Sequence, residues 1–154
     1  MAHFLADTSL IIDLINNRNG RREFIQRLLR HGDTLGCCTI NVIEVYTGMH
    51  PGEEEITANW FDRLHYHDVT REIAERAGAL RYHWRKEGRT LSLADATIAG
   101  VALHHRLILL TDNEKHLGVA ILERRSRRRD IDVSDPVRCE IASSHRSLRR
   151  GRQL

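Results

Sequence analysis

LSLADATIAGVALHHRLILLTDN, residues 91–113, carries two elements and the punctuation between them. Leu93 to His104 reads as an alanine-rich helix opened by Ser92, a good N-cap. Leu107 to Leu110 is a continuous apolar run of strand length, closed by Thr111-Asp112-Asn113. A strand that is apolar at every position suits the centre of a parallel sheet, covered on both faces. A helix feeding such a strand argues for an α/β layer fold.

The upstream chain repeats the alternation. His3 to Ala6 predicts a short strand ending at Asp7, and Leu10, Ile11, Leu14 and Ile15 follow at helical spacing. Thr8 and Ser9 are expected to cap that helix. A second helix is expected over Glu23 to His31. Thr34 to Thr39 reads as a second strand, and Thr39 or Asn41 as the cap of a helix with Glu44 in its first turn. Pro51-Gly52 ends that helix, and Glu53 to Leu64 reads as another. Tyr66 to Thr70 is a weaker strand. Arg71 to Lys86 is a charged amphipathic helix with Ile73, Ala77, Leu80 and Trp84 inward. The sum is one α/β domain, a central parallel sheet flanked by helices.

Four acids fall where apolar segments end or helices begin: Asp7, Glu44, Asp95 and Asp112. Each has an ordinary reading taken singly: a cap for Asp7, a dipole partner for Glu44, a turn residue for Asp112. Thr8 and Ser9 leave Asp7 unneeded as a cap, however, and Ser92 does the same for Asp95. Val42, Ile43, Val45 and Tyr46 suggest a mostly buried helix around Glu44. Asp95 shares a stripe with Ile98, Ala99 and Ala102. In a parallel sheet, ligands bind outside the carboxyl ends of the strands, and all four acids can reach that edge. Clustered carboxylates repel unless a cation joins them. An all-oxygen set suits Mg2+ or Mn2+.

Bulk composition narrows the class. The 154 residues are 41% hydrophobic and 29% charged, as in an ordinary globular domain. No apolar run can span a bilayer, and the start does not read as a signal peptide, so the chain reads as cytoplasmic. Cys37, Cys38 and Cys139 make no disulfide framework, and the adjacent pair reads as small buried residues of a strand. Charge is uneven. From Glu123 onward ten arginines face five acids, a net of +5, which leaves the first 122 residues at −2 of the chain's +3. The basic end reads equally as a phosphate-binding segment or as a solvated, disordered tail.

DTSLIIDLI at 7–15, INVIEVYTGMHP at 40–51 and LSLADATIAGVALHHRLILLTDNEKHL at 91–117 resemble PIN-domain ribonucleases, most of all the VapC-type toxins of bacterial toxin–antitoxin pairs. The resemblance covers roughly Phe4 to Leu117 and implies a PIN-like fold over 1–136 with a basic tail at 137–154. It implies a metal-dependent endoribonuclease that uses Mg2+ or Mn2+ to cut RNA, with tRNA or rRNA as substrates. The family's first three acids fall on Asp7, Glu44 and Asp95. Its fourth polar position falls on Asp112 or Asn113. Thr8, Ser9, Thr111 and Asn113 would support the site. A VapB-like antitoxin and a homodimer are the implied partners. Arg81, Arg85, Lys86 and Arg89 could line an RNA path or form a solvated helix face. Leu117 stands where the family usually has an aromatic, and the tail beyond Pro136 is extra.

Competing readings fit less well. A receiver domain wants a lysine at a strand end, and the only lysines are Lys86 and Lys115. A phosphatase opening D-x-D fails at Ser9. A non-catalytic RNA-binding or scaffold PIN module stays as the alternative.

Overall fold

The LILL run lies within a sheet covered on both faces. The computed structural model describes residues 1–112. Within them β1 (His3–Ala6), β2 (Thr34–Cys38), β3 (His65–His67) and β4 (Ile108–Leu110) form one parallel sheet in the order β3-β2-β1-β4. Successive side chains of a strand point to opposite faces, and the core divides accordingly. Leu5, Cys38 and Leu109 join the core built by α5 (Arg71–Lys86) and α6 (Leu93–His105). Ala6, Cys37 and Leu110 join the core of α1 (Thr8–Ile15), α2 (Arg21–Arg30) and the Val45 side of α3 (Thr39–Gly48). This is the PIN-like α/β arrangement the sequence implies.

Ile73, Ala77, Leu80 and Trp84 form the inner face of α5, as their spacing requires. Both cysteines of β2 are buried and free, and burial pushes the Cys37 thiol up to about 12. Among the described residues no helix is long and apolar enough to cross a membrane. The tail at 137–154, Asn113 and Leu117 lie outside the described residues.

Several boundaries move. α2 starts at Arg21, two residues before the expected Glu23, and β3 is His65–His67 instead of Tyr66 to Thr70. The helix expected over Glu53 to Leu64 is shorter, α4 (Glu54–Phe61). Thr39 is the first residue of α3, not the last of β2, and Cys38 is the N-cap. Asn41 nevertheless serves the cap, because its side-chain oxygen accepts the Cys38 N–H at 2.7 Å. Glu44 therefore sits in the second turn of α3. The helix is also less buried than its apolar residues suggest: Ile43 and Tyr46 are 56% and 43% exposed.

Gly36 of β2 has a steric reason to lack a side chain. A Cβ there would lie 2.8 Å from Nε2 of His67, whose ring folds back across β2. His67 meets His105 with ring centroids 4.7 Å apart, and His105 meets His104 at 4.8 Å. Burial first, then His105 and His65, holds His67 below the ordinary imidazole range; burial and His104 do the same for His105. A folded-state pKa below the unfolded one means that unfolding takes up protons as pH falls. Stability from these rings is thus full above about pH 6.5, the unperturbed imidazole value, and declines below it. The melting temperature should drop between pH 7.5 and pH 5.5, and His67→Gln should flatten that drop; an unchanged slope in the variant would contradict the assignment.

Candidate active site

β1 delivers Asp7 to the carboxyl edge of the sheet. Asp7 has extended backbone (φ −75°, ψ 155°), and its Oδ1 accepts the Thr8 N–H at 2.7 Å. It is therefore the helix cap itself; Thr8 and Ser9, expected to take that role, are the first residues inside α1. Its backbone N–H donates to Leu110 O at 2.9 Å, which extends the β1–β4 pairing. Its Oδ2 accepts from Thr111 Oγ1 at 2.7 Å, across 104 residues of sequence. Asp7 is only 7% exposed. Burial pushes its carboxyl above the ordinary range, and the charges of Asp95 and Glu44 push the same way, against the hydrogen bonds from Thr111 and Thr8. Asp7 thus lies within the field of both other acids.

Asn41 organises the second corner. It is fully buried, and its amide donates to Ala6 O at 3.3 Å and to Thr8 Oγ1 at 3.0 Å. The Thr8 hydroxyl in turn donates to Glu44 Oε2 at 2.5 Å. The relay Asn41–Thr8–Glu44 thus ties the β1–α1 junction to α3. In the sequence Asn41 appears only as an alternative cap; the signal available was an amide following Cys38 by three, in capping-box position.

α6 supplies the third acid. Ser92 caps it, accepting the Asp95 N–H at 2.9 Å. Asp95 is half-buried in the first turn, where the helix dipole favours a negative charge. Ile98, Ala99 and Ala102 on its stripe are buried. Ser9 stands close to Asp7, with Oγ at 3.4 Å from Oδ2.

Asp112 turns a different way. Thr111 faces Asp7, while the carboxylate of Asp112 pairs with Nη2 of Arg21, a residue 3% exposed at the start of α2. Nothing in the sequence marks Arg21, because a lone arginine beside Arg22 reads as surface.

Arg81, Arg85 and Arg89 line a cleft of about 380 Å³ with Tyr82, Leu93 and Thr97. Arg85 and Lys86 lie over the Tyr82 ring, at 5.9 and 5.5 Å. Leu93 and Thr97 each stand two residues from Asp95, about 200° round the helix. The cleft therefore opens on the side of α6 away from the acids.

The donor chemistry fits a hard divalent cation: carboxylate oxygens of Asp7, Glu44 and Asp95, with Asp7 destabilised by its own neighbours. Among the described residues, however, no three His, Cys, Asp or Glu side chains form a ready-made metal cage. The arrangement is one of carboxylates within mutual influence, not already closed round an ion.

Comparison with known proteins identifies the class. The PIN domain model matches residues 4–122, and the chain belongs to that family. Ribonuclease VapC19 of Mycobacterium tuberculosis is 24% identical over 112 residues, 73% of this chain and 90% of the relative. A toxin–antitoxin complex from Klebsiella pneumoniae is similar at 31% identity and TM-score 0.60, over 75% of this chain and 89% of the other. VapBC2 from Rickettsia felis, bound to a DNA fragment from its promoter, shares the fold at 20% identity and TM-score 0.66, over 75% and 91%.

Removing the Asn41 amide should leave the Cys38 N–H and the Thr8 hydroxyl short of partners. Asn41→Ala is expected to cost about 1–3 kcal/mol in urea unfolding. A loss below about 0.5 kcal/mol, the range of an ordinary surface substitution, would contradict its organising role.

Proposed function

We propose that the chain is a metal-dependent endoribonuclease and the toxin of a toxin–antitoxin pair. The observation that carries this reading is the placement of Asp7 and Glu44 at the carboxyl edge of the sheet, joined through Thr8, with Asp95 of α6 close enough to act on Asp7. Family membership and the similarity to Ribonuclease VapC19 support RNA as the substrate, with tRNA or rRNA the expected targets.

Asp7, Glu44 and Asp95 would hold Mg2+ or Mn2+. When bound, the ion polarises a phosphoryl oxygen and lowers the pKa of a coordinated water. The chain's own residues set the geometry. Thr111 and the Thr8 N–H orient Asp7, and Thr8, itself held by Asn41, orients Glu44. Ser9 lies within reach of the Asp7 carboxylate as a further support. The fourth position is Asp112, against Arg21, or Asn113, outside the described residues. Arg81, Arg85 and Arg89 of the α5–α6 cleft, with Lys86 beside them, would hold RNA phosphates distant from the scissile bond, because that cleft opens away from Asp95.

The same reading gives the partners. A VapB-like antitoxin would cover the site, and the solved toxin–antitoxin complexes of similar fold support it. Exposed Ile12, Ile43, Tyr46 and Ile56 on α1, α3 and α4 offer apolar surface to such a partner. A homodimer and a cytoplasmic location complete the proposal.

Purified Asp7→Asn and Asp95→Asn proteins should keep the native melting behaviour and lose cleavage of RNA in Mg2+ by about 100-fold or more, as loss of a metal-held transition-state contact implies. Undiminished cleavage by Asp95→Asn would sink the nuclease assignment. Unaltered RNA binding with no cleavage by the native chain would instead favour the non-catalytic module. In cells, expression should arrest growth, the two acid variants should not, and a co-expressed antitoxin should relieve the arrest; equal arrest by the variants would separate toxicity from hydrolysis.

A further inference from the structure

The four acids of the sequence do not share one environment. Arg21 is 3% exposed, and a guanidinium is almost never buried without anionic partners. Two carboxylates meet it: Asp112 in contact with Nη2, and Asp13 at 3.6 Å from Nε. The second separation is beyond hydrogen-bond range, so Asp112 is the firmer partner. Asp13 is itself steadied by the Asn19 amide at 2.7 Å. Arg21 therefore joins three elements: α1 through Asp13, α2 through its own backbone, and the end of β4 through Asp112.

The placement follows from strand alternation. Thr111 sends its hydroxyl to Asp7, and the next side chain, Asp112, points elsewhere, to Arg21. A carboxylate in contact with a buried guanidinium has its charge largely claimed. A metal ion that used Asp112 as a ligand would draw on the charge that balances Arg21, weakening the main ion pair of a guanidinium in a nearly dry position. Among the described residues no cation pairs with Asp7, Glu44 or Asp95, and the charges of Asp95 and Glu44 act on Asp7 repulsively.

We propose that Arg21 is a positioning residue that retains Asp112 as its ion-pair partner and so leaves a divalent cation to Asp7, Glu44 and Asp95. This rests on the metal reading given above. It casts the Arg21–Asp112 pair as a charge counterweight: it fixes the strand end that carries Thr111 and limits how tightly the site holds its ion.

Mn2+ binding to the full chain, followed by calorimetry and by the loss of the free-ion electron spin resonance signal, tests it without any substrate. Arg21→Gln releases the Asp112 charge and should tighten Mn2+ binding by about fivefold, the scale of one added unit charge near a solvated site. The same substitution in an Asp112→Asn background frees no carboxylate for the ion and should tighten binding clearly less than in the native chain, and Arg21→Lys, which keeps the charge, should change the Kd by less than about twofold; equal tightening in the two backgrounds would make Arg21 a through-space charge only and overturn the proposal. A purely structural Arg21 would lower the melting temperature and leave the Kd where it was; that result overturns the proposal. If Arg21→Gln does not fold, Asp112→Asn decides alone. It should weaken Mn2+ by less than about threefold, while Asp95→Asn weakens it by about tenfold or more, as loss of a direct ligand does. Equal losses for the two would make Asp112 a ligand and refute the assignment. Absence of any Mn2+ binding by the native chain would remove the metal reading itself, a result separable from an unmoved Kd.

Discussion

A buried carboxylate is the constraint on which the rest of the molecule turns. Asp7 stands at 7% exposure between two like charges, and burying a charge costs several kcal/mol unless partners compensate. The surrounding structure can be understood as that compensation. The cap bond from Thr8, the hydroxyl of Thr111 and the N-terminal end of α1 all present positive dipole to it. The parallel sheet makes this possible, because β1 and β4 are neighbours and both run toward the same edge. An antiparallel pairing would send Thr111 to the other end of the sheet.

The sheet's second strand neighbour contributes in a less direct way. β2 leads into α3 with no intervening loop, so Cys38 ends one element and caps the next. That abrupt turn leaves a backbone N–H to satisfy, and Asn41 meets it while reaching across to Ala6 and Thr8. One buried amide thus serves helix capping and site geometry together. The same economy holds for Thr8, which opens α1 and also donates to Glu44.

What could be read from the sequence follows the range of the interactions involved. The LILL run and the inner face of α5 depend on local pattern alone; the face is as expected, and the strand forms over the last three residues of the run, Ile108–Leu110. Ser92 caps α6 because capping is decided within three residues. Arg21 was invisible because its partner Asp112 is 91 residues away. Asn41 was half-visible: it was one of two residues expected to cap α3, and its bonds to Ala6 and Thr8 had no local signal. Glu44 was misplaced by a turn because the strand-to-helix join carries no glycine or proline to mark it. The exposure of Ile43 and Tyr46 reversed a local inference, since apolar residues on a helix cannot say whether a neighbour covers them. The divalent ion and the RNA belong to a further level, reached by chemistry and by family likeness.

The bond between Thr111 and Asp7 has a bearing on the order in which the protein is made. Its ends lie 104 residues apart, so nearly all of the described chain must leave the ribosome before the Asp7 carboxylate acquires its hydroxyl donor. β4, the strand beside β1, is also the last of the described strands to emerge. Long-range pairings of this kind form late. A half-synthesised chain carries Asp7 and Glu44 without the strand that orients the first of them. Translation itself therefore delays assembly, and a stalled or truncated product would lack the finished site.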